Sequence, residues 1–460
     1  MTTETYPVSY GQESQWYVHE VRGLTAVYQD FAVFRLSGAL DLRAFSTAVE
    51  ALVERHPALR TRFVRIDGEL RQVVDPRWRG SLSVTSAAAG LDSIAAIELY
   101  VAQQAELPFD LEHGPLFRVG VLALDDDSHV LAFVKHRMIA DCWSLELLFA
   151  ELSALYAGVP ADEQATTAVP APSFTEFARW QQTPAASEEF GELVDYWITH
   201  LGDAPRTLDF GGTGAADVPD EEASQAGELE FWIPATVADR LQQFAGSCGA
   251  TLYMTLLAAF QVVIGRAART ADFLVGVPVA GRTMIQYEES VGYFVNLLAL
   301  RADLRGDPTG TELVRRVRKT MLGGMAYQDL PFEVLLAELG EQPSPARHPL
   351  VQVTMQVIEE GTAGDLRLPG LTAEPVAVDE YQIAYALTLN LYTGGEGLRG
   401  RLIYTVGEVD HEVAKAAVEQ FCRIIELMPA TPDFKVSTLD ELAASGATPT
   451  SLAEPTWNGV

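Results

Sequence analysis

A run of nine residues, 136–144, concentrates side chains that could take part in proton or acyl transfer. Its polar and reactive members are His136, Arg137, Asp141, Cys142 and Ser144. A neutral imidazole accepts a proton near neutral pH, whereas a guanidinium stays charged in proteins and has no acceptor nitrogen to offer. Of the two adjacent basic side chains, only His136 could therefore serve as a general base.

Two of these residues also have plain structural interpretations. An isolated histidine at the end of a strand, such as His136, is more often structural than catalytic. A buried carboxylate needs a partner, since a lone charge in a medium of low dielectric constant is costly. We therefore interpret Asp141 as an ion-paired anchor of its loop and not as a general acid or base.

The sequence on both sides predicts the elements that position this run. Apolar segments at 116–124 and 130–135 flank a turn and predict two strands, the second of which ends at His136. After Ser144, apolar residues recur at helical spacing and predict a helix; they are Leu145, Leu147, Leu148, Phe149 and Leu152. The run thus lies between a strand and a helix, where functional side chains commonly occur.

Seven further motifs accompany this run in a fixed order along the chain. They lie at residues 9–16, 55–63, 174–180, 276–282, 291–296, 327–333 and 344–350. Together with 136–144, which is similar to HHxxxDGxS, they resemble the motifs of nonribosomal peptide synthetase condensation domains. The clearest are RHPALRTRF at 55–63 and VGYFVN at 291–296, whereas Pro343 replaces the arginine that begins the last motif in the family.

This resemblance implies an α/β (α+β) fold of two chloramphenicol-acetyltransferase-like lobes in a V arrangement. A chain of 460 residues also exceeds what a single hydrophobic core usually supports. Glycine and proline residues at 157–172 predict a linker, and we therefore expect an N-terminal lobe at 1–172 and a C-terminal lobe at 173–460.

The resemblance assigns a role to each residue of the central run. In the family the first histidine, here His136, is usually structural or orienting, and the second serves the attacking amine. Arg137 stands at the second position and Cys142 replaces a glycine. Both substitutions add bulk where a thioester and an amine would meet, and a misplacement of about 1 Å can cost roughly a hundredfold in rate. For Asp141, the resemblance implies Arg282 as the ion-pair partner, with Arg62 as second choice.

Family members with HR in place of HH are best known as X-domains of glycopeptide-antibiotic synthetases. The resemblance therefore implies a domain without catalytic residues that recruits cytochrome P450 oxygenases to a carrier-bound peptide for crosslinking of its aromatic side chains. Phosphopantetheine would belong to the neighbouring peptidyl carrier domain and haem to the P450, with no cofactor or metal bound here. One departure is Cys142, since X-domains often carry an acidic residue after the motif aspartate.

Two other activities remain open within the same fold. A working condensation domain would form peptide bonds between carrier-bound thioesters, but it would have to manage without the second histidine. An epimerisation domain requires the intact histidine pair and usually has tryptophan after the motif serine, whereas Trp143 precedes Ser144. Both are less consistent with Arg137 than recruitment is.

Composition excludes several other function classes. With 63 acidic and 32 basic residues the formal charge is −31, which would repel nucleic-acid phosphates and anionic lipids. The sequence lacks an unbroken apolar run of about 18 residues that would predict a membrane span, and its start lacks the pattern of a secretory signal. The three cysteines have neither metal-site spacing nor the density of a disulfide framework. We expect a cytoplasmic protein.

Overall fold

The computed structural model describes residues 4–22, 28–88, 92–159, 171–211, 226–341, 348–359, 366–376, 378, 384–394 and 397–439. Three features of the sequence lie wholly or partly outside these ranges. They are residues 344–347 of the last motif, residues 160–170 of the predicted linker and the tail from residue 443.

The described ranges contain eleven α-helices and fourteen β-strands. The helices are α1 (Tyr10–Arg22), α2 (Leu42–Arg55), α3 (Ser93–Ala105), α4 (Cys142–Tyr156), α5 (Phe174–Gln181), α6 (Pro184–Leu201), α7 (Ala235–Ser247), α8 (Leu252–Ala267), α9 (Gly310–Ala326), α10 (Phe332–Glu338) and α11 (His411–Ala430). The strands are β1 (Thr5–Pro7), β2 (Gln29–Ser37), β3 (Thr61–Ile66), β4 (Glu69–Val74), β5 (Leu82–Ser86), β6 (Phe117–Asp125), β7 (Ser128–His136), β8 (Ala226–Pro234), β9 (Asp272–Val279), β10 (Asn296–Asp303), β11 (Val353–Glu359), β12 (Thr372–Val376), β13 (Leu387–Gly394) and β14 (Gly397–Thr405).

Contacts divide the chain into two compact units. The first comprises residues 1–189, 280–295 and 361–379, and the second comprises residues 190–279, 296–360 and 380–460. This division differs from the boundary at 172/173 that the sequence indicated. The reason is aromatic packing: Phe174 of α5 lies 4.9 Å from Phe294 and Phe177 lies 5.3 Å from Tyr287, measured between ring centroids. Both α5 and the segment 280–295 therefore join the first unit.

The first unit is built on a five-stranded sheet with the order β12-β2-β7-β6-β5. Strands β2 and β7 are antiparallel, and Gln29 lies opposite His136 at the end of β7. Helix α2 begins where Asp41 accepts hydrogen bonds from the first-turn amides, an N-cap arrangement that satisfies backbone donors otherwise left without partners. The apolar faces of α2 and α4 pack into the core of this unit, which includes Phe45, Val49, Leu52, Leu148 and Phe149.

The second unit contains a six-stranded sheet with the order β10-β9-β11-β13-β14-β8. Helix α8 is largely apolar and is buried over almost its whole length. Within the described ranges, no single helix has both the length and the apolarity to cross a membrane, and α7 and α8 meet that test only as a pair bent by 99°.

Candidate functional site

The central run lies in a loop between a strand and a helix of the first unit, as predicted. Strand β7 ends at His136, a short 3-10 turn follows at Arg137–Ile139, and α4 begins at Cys142. The backbone amide of Arg137 donates to the carbonyl of Tyr28 at 2.8 Å, which ties this turn to the chain preceding β2. The motif residues are thus carried by the end of the central strand β7, by the turn that follows it and by the first turn of α4.

His136 is completely buried at the end of β7. Its Nδ1 accepts a hydrogen bond from the Met138 amide at 3.2 Å, and its Nε2 has no hydrogen-bond partner in the described part of the chain. Burial, with a smaller contribution from His19, lowers the pKa of His136 to about 3. His136 is therefore neutral at physiological pH and enclosed by protein, with the His19 and Phe109 rings 5.6 and 6.2 Å away.

Arg137 is held by a carboxylate of the neighbouring strand. Its Nη2 donates to Asp30 Oδ1 at 2.7 Å and its Nε donates to the same oxygen at 3.1 Å. Asp30 also accepts from the Nζ of Lys135 at 2.5 Å, and that ammonium donates to the Ala140 carbonyl. Lys135 is one of the most deeply buried side chains of the unit.

These charges stabilise one another's ionised forms. The Arg137 side chain is 40% exposed. Its partial burial acts against the cation, but the attraction of Asp30 and its hydrogen bonds outweigh this effect and raise the arginine pKa above its usual value. For Asp30, burial favours the neutral acid, and the nearby Arg137 and Lys135 overcome it and lower the carboxyl pKa. Position 137 therefore presents a permanent cation and no proton acceptor.

Asp141 forms a buried ion pair with Arg282. Arg282 Nη2 lies 2.9 Å from Asp141 Oδ1, and both side chains are at most 3% exposed. Ser144 joins the pair, since its hydroxyl donates to Asp141 at 2.7 Å and accepts from Arg282 at 3.0 Å. Asp141 also accepts from the amide of Ser144, which caps α4, and from the amide of Phe294. This cluster joins the motif loop to the segment 280–295.

The second expected partner of Asp141 lies elsewhere. Arg62 pairs with Asp75, with 3.3 Å between Arg62 Nε and Asp75 Oδ1. Arg62 lies in β3 and Asp75 directly follows the neighbouring strand β4. Cys142 is exposed at the start of α4 and is not among the residues with positive φ. The backbone at this position therefore does not need glycine. Trp143 is 42% exposed and donates its indole N–H to the Glu288 carbonyl at 2.9 Å.

Two residues of the site were missed by the sequence analysis. Asp30 was given no role, and Lys135 was counted only as the last residue of the apolar segment 130–135. One signal was available: a lysine at the end of an apolar strand is rarely fully buried unless it is paired. The sequence did not indicate which carboxylate would pair with it.

The sequence model of the condensation domain matches residues 2–447, nearly the whole chain. The chain belongs to the condensation-domain family. It is 32% identical to a component of the linear gramicidin synthase of Brevibacillus parabrevis over 98% of this chain and 9% of that protein. It is 34% identical to the phosphinothricin tripeptide synthetase PhsB of Streptomyces viridochromogenes over 95% of this chain and 37% of that protein. The chain thus spans only a part of these synthetases.

A solved structure of the complex of the X-domain and OxyB from teicoplanin biosynthesis is also similar. Its match to this condensation domain has a TM-score of 0.83 and an identity of 25%, and it covers 96% of each chain. The mixed α/β condensation-domain fold expected from the sequence motifs is therefore confirmed. The relatives found by sequence are peptide synthetases, whereas this structural neighbour is an X-domain.

Proposed function

We propose that this condensation-family domain makes no peptide bond and instead recruits cytochrome P450 oxygenases to a peptide held on a neighbouring carrier domain of a nonribosomal peptide synthetase. The P450 would crosslink aromatic side chains of that peptide, as in glycopeptide-antibiotic biosynthesis. In this proposal haem belongs to the P450 and phosphopantetheine belongs to the carrier domain. The crosslinking takes place in the cytoplasm.

The observation that carries the proposal is the ion pair between Arg137 and Asp30. In the family, the residue at this position serves the attacking amine, and a guanidinium bound to a carboxylate cannot accept its proton. His136 does not replace it, because its imidazole is completely buried. A general base within hydrogen-bond reach of the amine is what this chemistry needs.

The likeness to the teicoplanin X-domain supports the recruitment half of the proposal, since that domain was solved in complex with OxyB. The identity to gramicidin and phosphinothricin synthetases favours a second candidate, a working condensation domain. That candidate would require the amine to lose its proton without the second motif histidine. The two functions differ in a measurable product.

A peptide-bond assay with donor and acceptor carrier proteins separates them. We expect no condensed product from the natural protein or from Arg137→His. In that variant the Cys142 side chain still adds bulk at a position where the family has glycine. Calorimetry with each P450 encoded beside the synthetase should give a Kd of about 1 μM or tighter, equivalent to about −8 kcal/mol. Condensed product from the natural protein would favour the second candidate, and the absence of any P450 complex would contradict recruitment.

A further inference from the structure

Helix α9 and the part of α6 that belongs to the second unit carry exposed charges that the proposed function does not use. On α9, Arg315, Arg318 and Lys319 are exposed and lie three or four positions apart, so they form a basic stripe on one face. On α6, Glu192 and Asp195 are exposed at the same spacing and form an acidic stripe. We propose that these stripes form a dimer interface between two copies of this chain, in which the basic stripe of each copy packs on the acidic stripe of the other.

The charges of both stripes are available to a partner. In the part of the chain that the structure describes, the two side chains of the acidic stripe have neither an ion-pair partner nor a hydrogen-bond partner. The same holds there for Arg315 and Lys319 of the basic stripe. Between them, Arg318 donates from its Nε to the Gly249 carbonyl at 2.6 Å and meets no carboxylate. Neither stripe is therefore neutralised by the described residues of its own chain.

The basic stripe contrasts with the composition of the whole chain. Acidic residues outnumber basic ones by 63 to 32, but α9 has four basic residues and one acidic residue, Glu312. That carboxylate is engaged at the start of the helix, where it accepts from the Thr309 amide. A cationic helix on an anionic protein favours an acidic partner. A second copy provides one, because it carries the acidic stripe of α6.

Each stripe continues into exposed apolar side chains toward the C-terminus of its helix. On α9, Leu322 is 48% exposed and Met325 is 37% exposed, and Leu322 follows Lys319 by three positions. On α6, Ile198 is 42% exposed and follows Asp195 by three positions. Water is released when such side chains are buried, and interfaces commonly combine an apolar centre with a polar rim. The two stripes thus offer both components.

The apolar ends of the two stripes lie where the helices meet. Tyr196 of α6 stacks on Tyr327, the residue after α9, with 4.0 Å between the ring centroids. The Trp197 indole also donates to the Tyr327 carbonyl at 2.9 Å. Both stripes therefore extend from this contact, one along each helix. A two-fold axis that bisects the angle between the helices places the basic stripe of each copy opposite the acidic stripe of the other, which is the self-complementarity that a two-fold dimer requires.

Sedimentation velocity of charge-swapped variants tests this interface. In about 0.15 M salt, repulsion between like charges more than about 8 Å apart is largely screened, and we expect the natural protein to form a reversible dimer at concentrations up to about 100 μM. Arg315→Glu/Lys319→Glu should be monomeric, since acidic side chains then face each other. Glu192→Lys/Asp195→Lys should be monomeric because basic side chains face each other. An equimolar mixture of the two variants should dimerise again, since it restores opposite charges at both contacts and has the net charge of the natural dimer.

A matched control reverses two exposed cations elsewhere. Arg43→Glu/Arg77→Glu changes two exposed arginines of the first unit and should dimerise as the natural protein does, and circular dichroism should show that each variant keeps its fold. A natural protein that stays monomeric would overturn the proposal, and so would a mixture of the two swapped variants that stays monomeric. A control that is as monomeric as Arg315→Glu/Lys319→Glu would overturn it too, because the loss would then come from net charge and not from the stripes.

Discussion

Asp30 is the side chain on which two cations of the motif depend. It is 15% exposed and pairs with Lys135, which is 2% exposed, and with Arg137, which is 40% exposed. A buried charge that loses its partner is strongly destabilising, whereas a charge near the surface is solvated by water. The loss of Asp30 should therefore destabilise the domain mainly through Lys135 and less through Arg137.

Removing this carboxylate should lower the stability of the domain. Asp30→Ala leaves Lys135 buried without its counter-ion, and we expect a loss of about 3 to 5 kcal/mol in the free energy of unfolding. Arg137→Ala, the comparison variant, should cost clearly less because Asp30 keeps the lysine. Urea denaturation measures both losses, and equal losses would contradict this ranking.

The ion pair between Asp141 and Arg282 gives a second prediction. Asp141→Ala leaves Arg282 buried and removes the N-cap of α4, so we expect a loss of about 3 to 5 kcal/mol. Asp41→Ala removes only the exposed N-cap of α2 and should cost about 0.5 to 2 kcal/mol. If chemical denaturation gives equal losses for the two variants, the buried pair does not contribute beyond its capping.

Stability should depend on pH through His136. Its pKa is lowered from 6.5 to about 3 in the folded protein. Below pH 6.5 the unfolded chain takes up a proton that the folded chain does not bind, so stability falls as the pH drops from 6.5 toward 3. The slope amounts to as much as about 1.4 kcal/mol per pH unit. His136→Gln should reduce the slope measured by urea denaturation between pH 6 and 4.5; an unchanged slope would contradict a buried neutral imidazole.

The residue level was only partly predictable from sequence. Asp141 was predicted to need a partner from the cost of burying a charge, but the choice between Arg282 and Arg62 came from the family resemblance. Arg282 lies 141 positions away in sequence, and no local pattern encodes such a contact. Asp30 was overlooked for the same reason, since its pairing with Arg137 depends on the register of β2 and β7.

At the level of elements, the motif loop depends on the segment 280–295. The Ser144 hydroxyl accepts from the Gly292 amide at 3.0 Å, and the Asp141 amide donates to the Gly292 carbonyl at 3.0 Å. The strand, loop and helix around the motif were predicted from local periodicity. The packing of segment 280–295 into the first unit was not predicted, because it depends on contacts between distant parts of the chain.

Gly292 tests this junction. A Cβ atom at this position would lie 2.1 Å from Cδ2 of Phe174, which is itself buried. Gly292→Ala should therefore lower the unfolding free energy by about 1 to 3 kcal/mol through overpacking. Gly246→Ala is the control, since a Cβ atom there meets nothing within 4 Å. Similar stabilities of the two variants in thermal denaturation would show that the segment can move away without cost.

At the level of the whole molecule, sequence motifs were sufficient to predict the fold, because eight of them occur in the family's order. The boundary between the units was less predictable, since two segments of the second half belong to the first unit. The charge of −31 makes complementary basic residues on a partner favourable. Added salt should then slow association with a P450 more than it speeds dissociation.

The most direct test of the proposed function is crosslinking of a carrier-bound peptide by the pathway's own P450, with and without this domain. Recruitment predicts that omission of the domain lowers the yield of crosslinked peptide and that Arg137→Ala leaves it unchanged, because no chemistry takes place at the motif. A yield unaffected by omission, together with no complex between domain and P450 in calorimetry, would contradict recruitment and leave a condensation-family domain without that role.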